Sequence, residues 1–181
     1  MDASSLFTPA HKIPFSVRRK ATAIHEAGHV VVAIVLGRRV SGALLRPPEG
    51  LSGETQFEAE PSVMLDPNLQ RDRNLIEDAV VVLMAGKVAE AVYWKKMSKL
   101  YQPMLDSHRD DDVEINRMKG VFEFAPDNDA RYVDHCMQRA AEIVHNPKVQ
   151  KAIEEISDCL WRNLNVKRAE IDVILKKYEI I

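Results

Sequence analysis

The chain has 181 residues, of which 46 % are hydrophobic and 29 % charged, and a formal net charge of −2. That balance suits a globular domain with a sizeable core and gives no reason to expect nucleic acid as a partner. The longest apolar run, Val30 to Leu36, is far short of the roughly 18 residues a bilayer span needs, and residues 1–15 lack the pattern of a secretion signal, so no membrane span and a cytoplasmic location are expected.

Residues 1–15 hold Pro9 and Pro14 without any periodicity and read as a coil. Ser16 is a candidate N-cap for a helix over 17–36 that stops near Gly37. The basic run Arg18-Arg19-Lys20 reads as its solvated end. Beyond residue 29 this helix is apolar on nearly every side, the pattern of a buried helix. From Arg38 to about Gln70, short apolar pieces broken by Gly and Pro predict two or three short strands, the second around Glu54 to Phe57, with a mobile loop over 58–70.

Residues 72–97 then place Leu75, Ala79, Val82, Leu83, Ala89, Val92 and Tyr93 at helical spacing. Gly86 inside that helix costs about 1 kcal/mol relative to alanine, so another element is expected to come close there. A loop over 98–109 leads to a helix over 110–123 that opens on Asp110-Asp111-Asp112, where acids suit the N-terminal dipole. Further helices are predicted over 128–145, over 148–164 behind Pro147, and over 168–178. Cys136 and Cys159 fall in two of these helices and read as reduced thiols rather than a disulfide or metal pair. The expected architecture is mainly α (α+β): one domain over 16–181, with a small two- or three-stranded sheet inserted after the first helix.

The first helix carries TAIHEAGHVVVAIVL over 22–36, which contains the zinc-protease pattern HExxH as His25, Glu26 and His29. Four residues of helix bring His29 back to within about 40° of His25, one turn along the axis, so both imidazoles can reach one metal ion. Glu26 is then placed to act as general base toward a metal-activated water. Gly28 inside the motif weakens the helix unless something packs against it. Zinc in a hydrolase usually takes three protein ligands, and the third candidates are Glu90, Asp106, His108 and the triplet Asp110 to Asp112. No histidine follows His29 before His108, so the pattern with a third histidine close after the motif is absent.

HEAGH with its apolar run, then Ser52-Gly53-Glu54-Thr55-Gln56, then Ala85-Gly86-Lys87-Val88-Ala89-Glu90, then an aspartate at a helix start resembles the peptidase domain of the FtsH family of AAA+ zinc metalloproteases. The resemblance spans about residues 15–178, and RAEIDVIL near the end is similar to the family's closing helix. It implies a helical zincin-like peptidase with Zn2+ as cofactor and a polypeptide substrate lying along the strand that holds Glu54, Thr55 and Gln56. It also implies an aspartate as third ligand, followed by apolar residues four, seven and eleven positions later. From Asp111 these are Ile115, Met118 and Phe122; from Asp112 they are Asn116, Lys119 and Glu123. An apolar residue directly after the ligand favours Asp112 instead, since Val113 follows it. Asp111 is the expected ligand, with Asp112 as the alternative.

The family joins this domain to an ATPase ring, whereas no GxxxxGK[ST] phosphate loop occurs in this sequence. The expectation is a stand-alone metalloendopeptidase acting on unfolded or flexible polypeptides, served by a separate ATPase or adaptor, and able to form a homo-oligomer by analogy with the family's rings. The competing expectation is a catalytically silent zinc protein of the same fold acting as a binding or assembly partner.

Overall fold

A computed structural model describes residues 8–47, 50–58, 65, 66, 68–101, 109–120 and 126–181. Helix α1 (Phe15–Val35) starts earlier than the sequence suggests, because Pro14 and not Ser16 occupies the N-cap. The Pro14 carbonyl accepts the first helical bonds from Val17 and Arg18 at 3.0 and 3.1 Å. Proline suits this place, since its fixed φ and missing N–H cost nothing before the first turn. The segment ahead of it is not a plain coil: Ala10–Lys12 form a 3-10 turn, and Ile13 is buried in a small cluster with Ala21 and Trp94. Helix α1 ends where expected, with Gly37 just beyond at a φ of 78°.

Every residue of α1 from Ala23 to Ile34 is buried, His25, Glu26 and His29 included. Three groups of elements cover it: α2 (Gln70–Met97), α5 (Pro147–Asn163), and the hairpin of β1 (Val40–Leu45) and β2 (Gly53–Phe57). The α1–α2 crossing is close because Gly28 has no side chain; a Cβ there would lie 2.8 Å from the Ala85 carbonyl oxygen and 2.8 Å from the Ala89 methyl. The basic run near the start of α1 is not a solvated end. Lys20 donates to Ser157 Oγ and Asp158 Oδ1 at 2.7 and 2.6 Å, and Arg18 and Arg19 are half-buried.

The sheet has three antiparallel strands in the order β2-β1-β3. Its third strand does not come from the segment after α1, where the sequence suggested it, but from β3 (Asn165–Lys167), between α5 and α6 (Arg168–Lys177). Leu164, in the left-handed region at φ 64°, turns the chain out of α5, and its carbonyl accepts from Leu45 N–H at 2.7 Å. Among the described residues, strand β2 is therefore an edge. Leu45 N–H points to β3 while Arg46 N–H bonds Ser52 on the other side. The strict alternation of a strand then turns the backbone groups of Gly53 and Thr55 away from β1, toward the open edge.

Helices α3 (Arg109–Gly120) and α4 (Pro126–Val144) complete the order. The large core side chains Val30, Val31, Val80, Val81, Val144, Ile156, Leu160, Ile171 and Leu175 are fully buried between α1, α2, α4, α5 and α6. Helix α5 shows why its start is legible: Asn146 caps it by accepting from Lys148 N–H at 2.9 Å, and Pro147 takes the first position. Both cysteines are free thiols; burial, together with the charge of Glu77, pushes the Cys136 thiol up to about 11. Among the described residues, no helix is long and apolar enough to cross a membrane.

Candidate metal centre

The Nε2 atoms of His25 and His29 face each other at 2.9 Å, with the rings nearly perpendicular at 87°. Asp111 Oδ2, from the first turn of α3, lies 3.0 Å from His25 Nε2 and 3.5 Å from His29 Nε2. Tetrahedral coordination at about 2.0–2.1 Å sets ligand atoms about 3.3 Å apart, so this triangle needs only small adjustment to hold one ion. The three groups are the metal-capable cluster found among the described residues.

The opposite ring nitrogens fix the tautomers. His29 Nδ1–H donates to the Val82 carbonyl at 2.7 Å, and His25 Nδ1 lies 3.3 Å from Glu90 Oε2. A carbonyl and a carboxylate both accept, so in the neutral rings Nδ1 takes the hydrogen and Nε2 can offer its lone pair to an ion. Two lone pairs and a carboxylate oxygen thus converge on one buried point, an arrangement that calls for positive charge. A proton on His25 can supply that charge. Burial opposes a charged His25, but the hydrogen bonds to Asp111 and Glu90 and the charge of Glu26 outweigh it and lift its pKa to about 10. Burial likewise opposes a charged Asp111, and its bonds to the two histidines hold it well below the usual carboxylate range. A divalent cation satisfies all three donors at once.

Helix α2 supplies the rest of the setting from one stripe at four-residue spacing: Val82, Gly86, Glu90 and Trp94. Gly86 leaves room for the rings, since a Cβ there would lie 2.5 Å from His29 Cε1 and 2.8 Å from His25 Cε1. Glu90, weighed above as a third ligand, instead stands behind His25 on its far nitrogen, and Trp94 Nε1–H donates to its other oxygen at 2.8 Å. This carboxylate–histidine pairing orients a ligand and raises its basicity. Asp112 points away and pairs with Lys87, and Asp110 is exposed. Asp106 and His108 lie outside the described residues.

Glu26 is positioned by β2. Thr55 Oγ1–H donates to Glu26 Oε2 at 2.9 Å, and the Gly53 backbone lies so close that a Cβ there would meet Glu26 Cγ at 2.4 Å. Of the residues expected to meet substrate, Thr55 thus directs its hydroxyl to Glu26, Glu54 pairs with Arg46 at 3.1 Å, and the Gln56 side chain is exposed. Nothing in the sequence linked Thr55 or Gly53 to Glu26, because that contact is made between a strand and a helix. The role of Glu90 left a fainter trace, an acid four residues from a tryptophan on the stripe that also holds Val82 and Gly86.

His25, Glu26 and Asp111 open on one cleft of about 320 Å³, which Leu51 to Gly53 and Asp110 also line. Such a concave site, with few polar groups converging among apolar ones, is the usual form of a ligand pocket. No protein-family model matches the chain, and no curated protein matches its sequence.

Proposed function

We propose that the protein is a zinc-dependent metallopeptidase of the FtsH type, hydrolysing peptide bonds of unfolded or flexible polypeptides. The observation that supports this best is the convergence of His25, His29 and Asp111 on one point, with Glu26 on the same cleft and held by β2, an edge strand among the described residues. When bound, zinc supplies Lewis acidity, polarising a carbonyl and bringing the pKa of a coordinated water down to about 7.

The chain's own residues do the remainder. Glu26 accepts a proton from the attacking water and delivers it to the leaving amine. Thr55 holds the Glu26 carboxylate through one oxygen and leaves the other for that transfer. The outward backbone groups of Gly53 and Thr55 offer main-chain hydrogen bonds to an extended substrate, a mode that tolerates many sequences. Energy for unfolding a folded substrate has to come from outside these 181 residues, from an ATPase or adaptor, because the sequence holds no phosphate loop.

The test pairs zinc content with cleavage of casein, an unfolded substrate. Wild type should hold about one zinc per chain and cleave; Glu26→Gln should hold as much zinc and not cleave. A zinc-loaded wild type that leaves casein intact would favour the silent binding or assembly protein, and a protein that takes up no zinc would end both readings.

A further inference from the structure

Arg18 sits seven residues before His25, two turns along α1, which puts both on one helix face about 10 Å apart along the axis. It lines the same cleft as the metal group. Its Nε is buried and, among the described residues, has no hydrogen-bond partner, nor does any carboxylate lie within ion-pair distance of its guanidinium. The walls beside it are apolar, formed by Ile13, Ala21, Leu51 and Trp94. Among the described residues, no cation but His25 lines the cleft beside Arg18, and three of its acids are engaged elsewhere: Glu26 by Thr55, Glu90 by His25 and Trp94, Asp111 by the histidines. The fourth, Asp110, is exposed and more than ion-pair distance from Arg18.

A guanidinium is a planar fork matched to a carboxylate, and apolar walls beside its buried Nε strengthen that match by excluding water. We propose that Arg18 is the specificity-determining residue of this cleft and selects a carboxylate on the polypeptide substrate. The proposal rests on the peptidase reading above. An extended chain advances about 3.3 Å per residue, so the carboxylate belongs two or three residues from the bond that is cut. An acidic side chain and a free C-terminus share this chemistry.

The experiment uses the zinc-loaded chain and its Arg18→Gln variant, with casein cleavage and zinc content measured alongside. One set of end-blocked fluorogenic peptides places Glu or Gln at each position up to four residues from the bond. A second set carries Gln throughout and ends in a free or an amidated C-terminus. Wild type should prefer the carboxylate by roughly 10- to 100-fold in kcat/KM at one position, and the ratio should fall to about 1 in Arg18→Gln. Preference confined to one set identifies which carboxylate is read. The same peptides are titrated by fluorescence anisotropy onto zinc-loaded Glu26→Gln protein with and without Arg18→Gln, where the same preference and its loss are expected in Kd. If casein is cut while the ratio stays near 1 throughout, or survives in Arg18→Gln, the role of Arg18 is overturned and the peptidase reading stands. If neither casein nor any peptide is cut, the peptidase reading fails, and equal anisotropy affinities overturn carboxylate selection as well.

Discussion

Replacing Gly86 with alanine sets two effects against each other. Helix propensity alone makes the change favourable by about 1 kcal/mol. The new Cβ, however, would lie 2.5 Å from His29 Cε1 and 2.6 Å from His29 Nε2, where ordinary contact begins near 3.4 Å. The ring must retreat by about 1 Å, while metal–ligand distances tolerate about 0.2 Å. It cannot slide freely, because the Val82 carbonyl holds its far nitrogen at 2.7 Å. Crowding of this kind costs about 1–3 kcal/mol, much of it offset by propensity, so the metal-free protein should unfold within about 2 kcal/mol of wild type. Zinc affinity should fall by about 100-fold or more, beyond what loss of an outer partner alone brings. Zinc titration against a competing chelator, beside urea unfolding in EDTA, separates the two effects. A Gly86→Ala protein that binds zinc as tightly as wild type would refute the reasoning from the close approach of α2.

Asp111→Asn should release most of the zinc, whereas Asp112→Asn should keep it, as metal analysis of the two purified proteins would tell; equal retention contradicts the placement of Asp111. Glu90→Gln should weaken zinc by about 10- to 100-fold without abolishing it, because it removes an orienting carboxylate and not a ligand; a total loss in the same titration would return Glu90 to the ligand set. Thr55→Val should leave zinc content intact and lower kcat on casein by roughly 10-fold, since Glu26 loses its positioning bond. An unchanged kcat would show that the Gly53 backbone alone suffices.

Much of the fold was legible because its signals are local. Pro147 announces a helix start, and Gly37 announces a helix end. The helical spacing of Ile115 and Met118 behind Asp111 agrees with the side chains: Ile115 is buried, Met118 packs against the core, and Val113 is 60 % exposed. The rule that looked only at the neighbouring residue pointed to Asp112, which reaches Lys87 instead. Gly28 and Gly86 were readable as close approaches, since a glycine inside an apolar helix needs a reason. What stayed hidden depends on distant parts of the chain. Strand β3 is three residues long, too short for alternation to show. The run Arg18-Arg19-Lys20 looks solvated until α5 and the cleft wall are set beside it. Glu90 could be named as an acid near the metal, but which of its neighbours it serves depends on the depth of one helix against another.

The late origin of β3 bears on how the protein is made. All of the proposed ligands and Glu26 have been synthesised once residue 111 has emerged, yet the strand that braces the β1–β2 hairpin follows only at 165–167. Until then Leu45 and its neighbours have no partner on that side, and the bed for Glu26 is a lone two-stranded hairpin, which is marginal in water. The helix that covers another face of α1, α5, also arrives late. A nascent chain therefore carries the HEAGH residues for about fifty residues of further synthesis before their setting can close around them. Ribosome-bound chains released at successive lengths and probed by limited proteolysis should gain protection of α1 in a single late step, after α6 has left the exit tunnel.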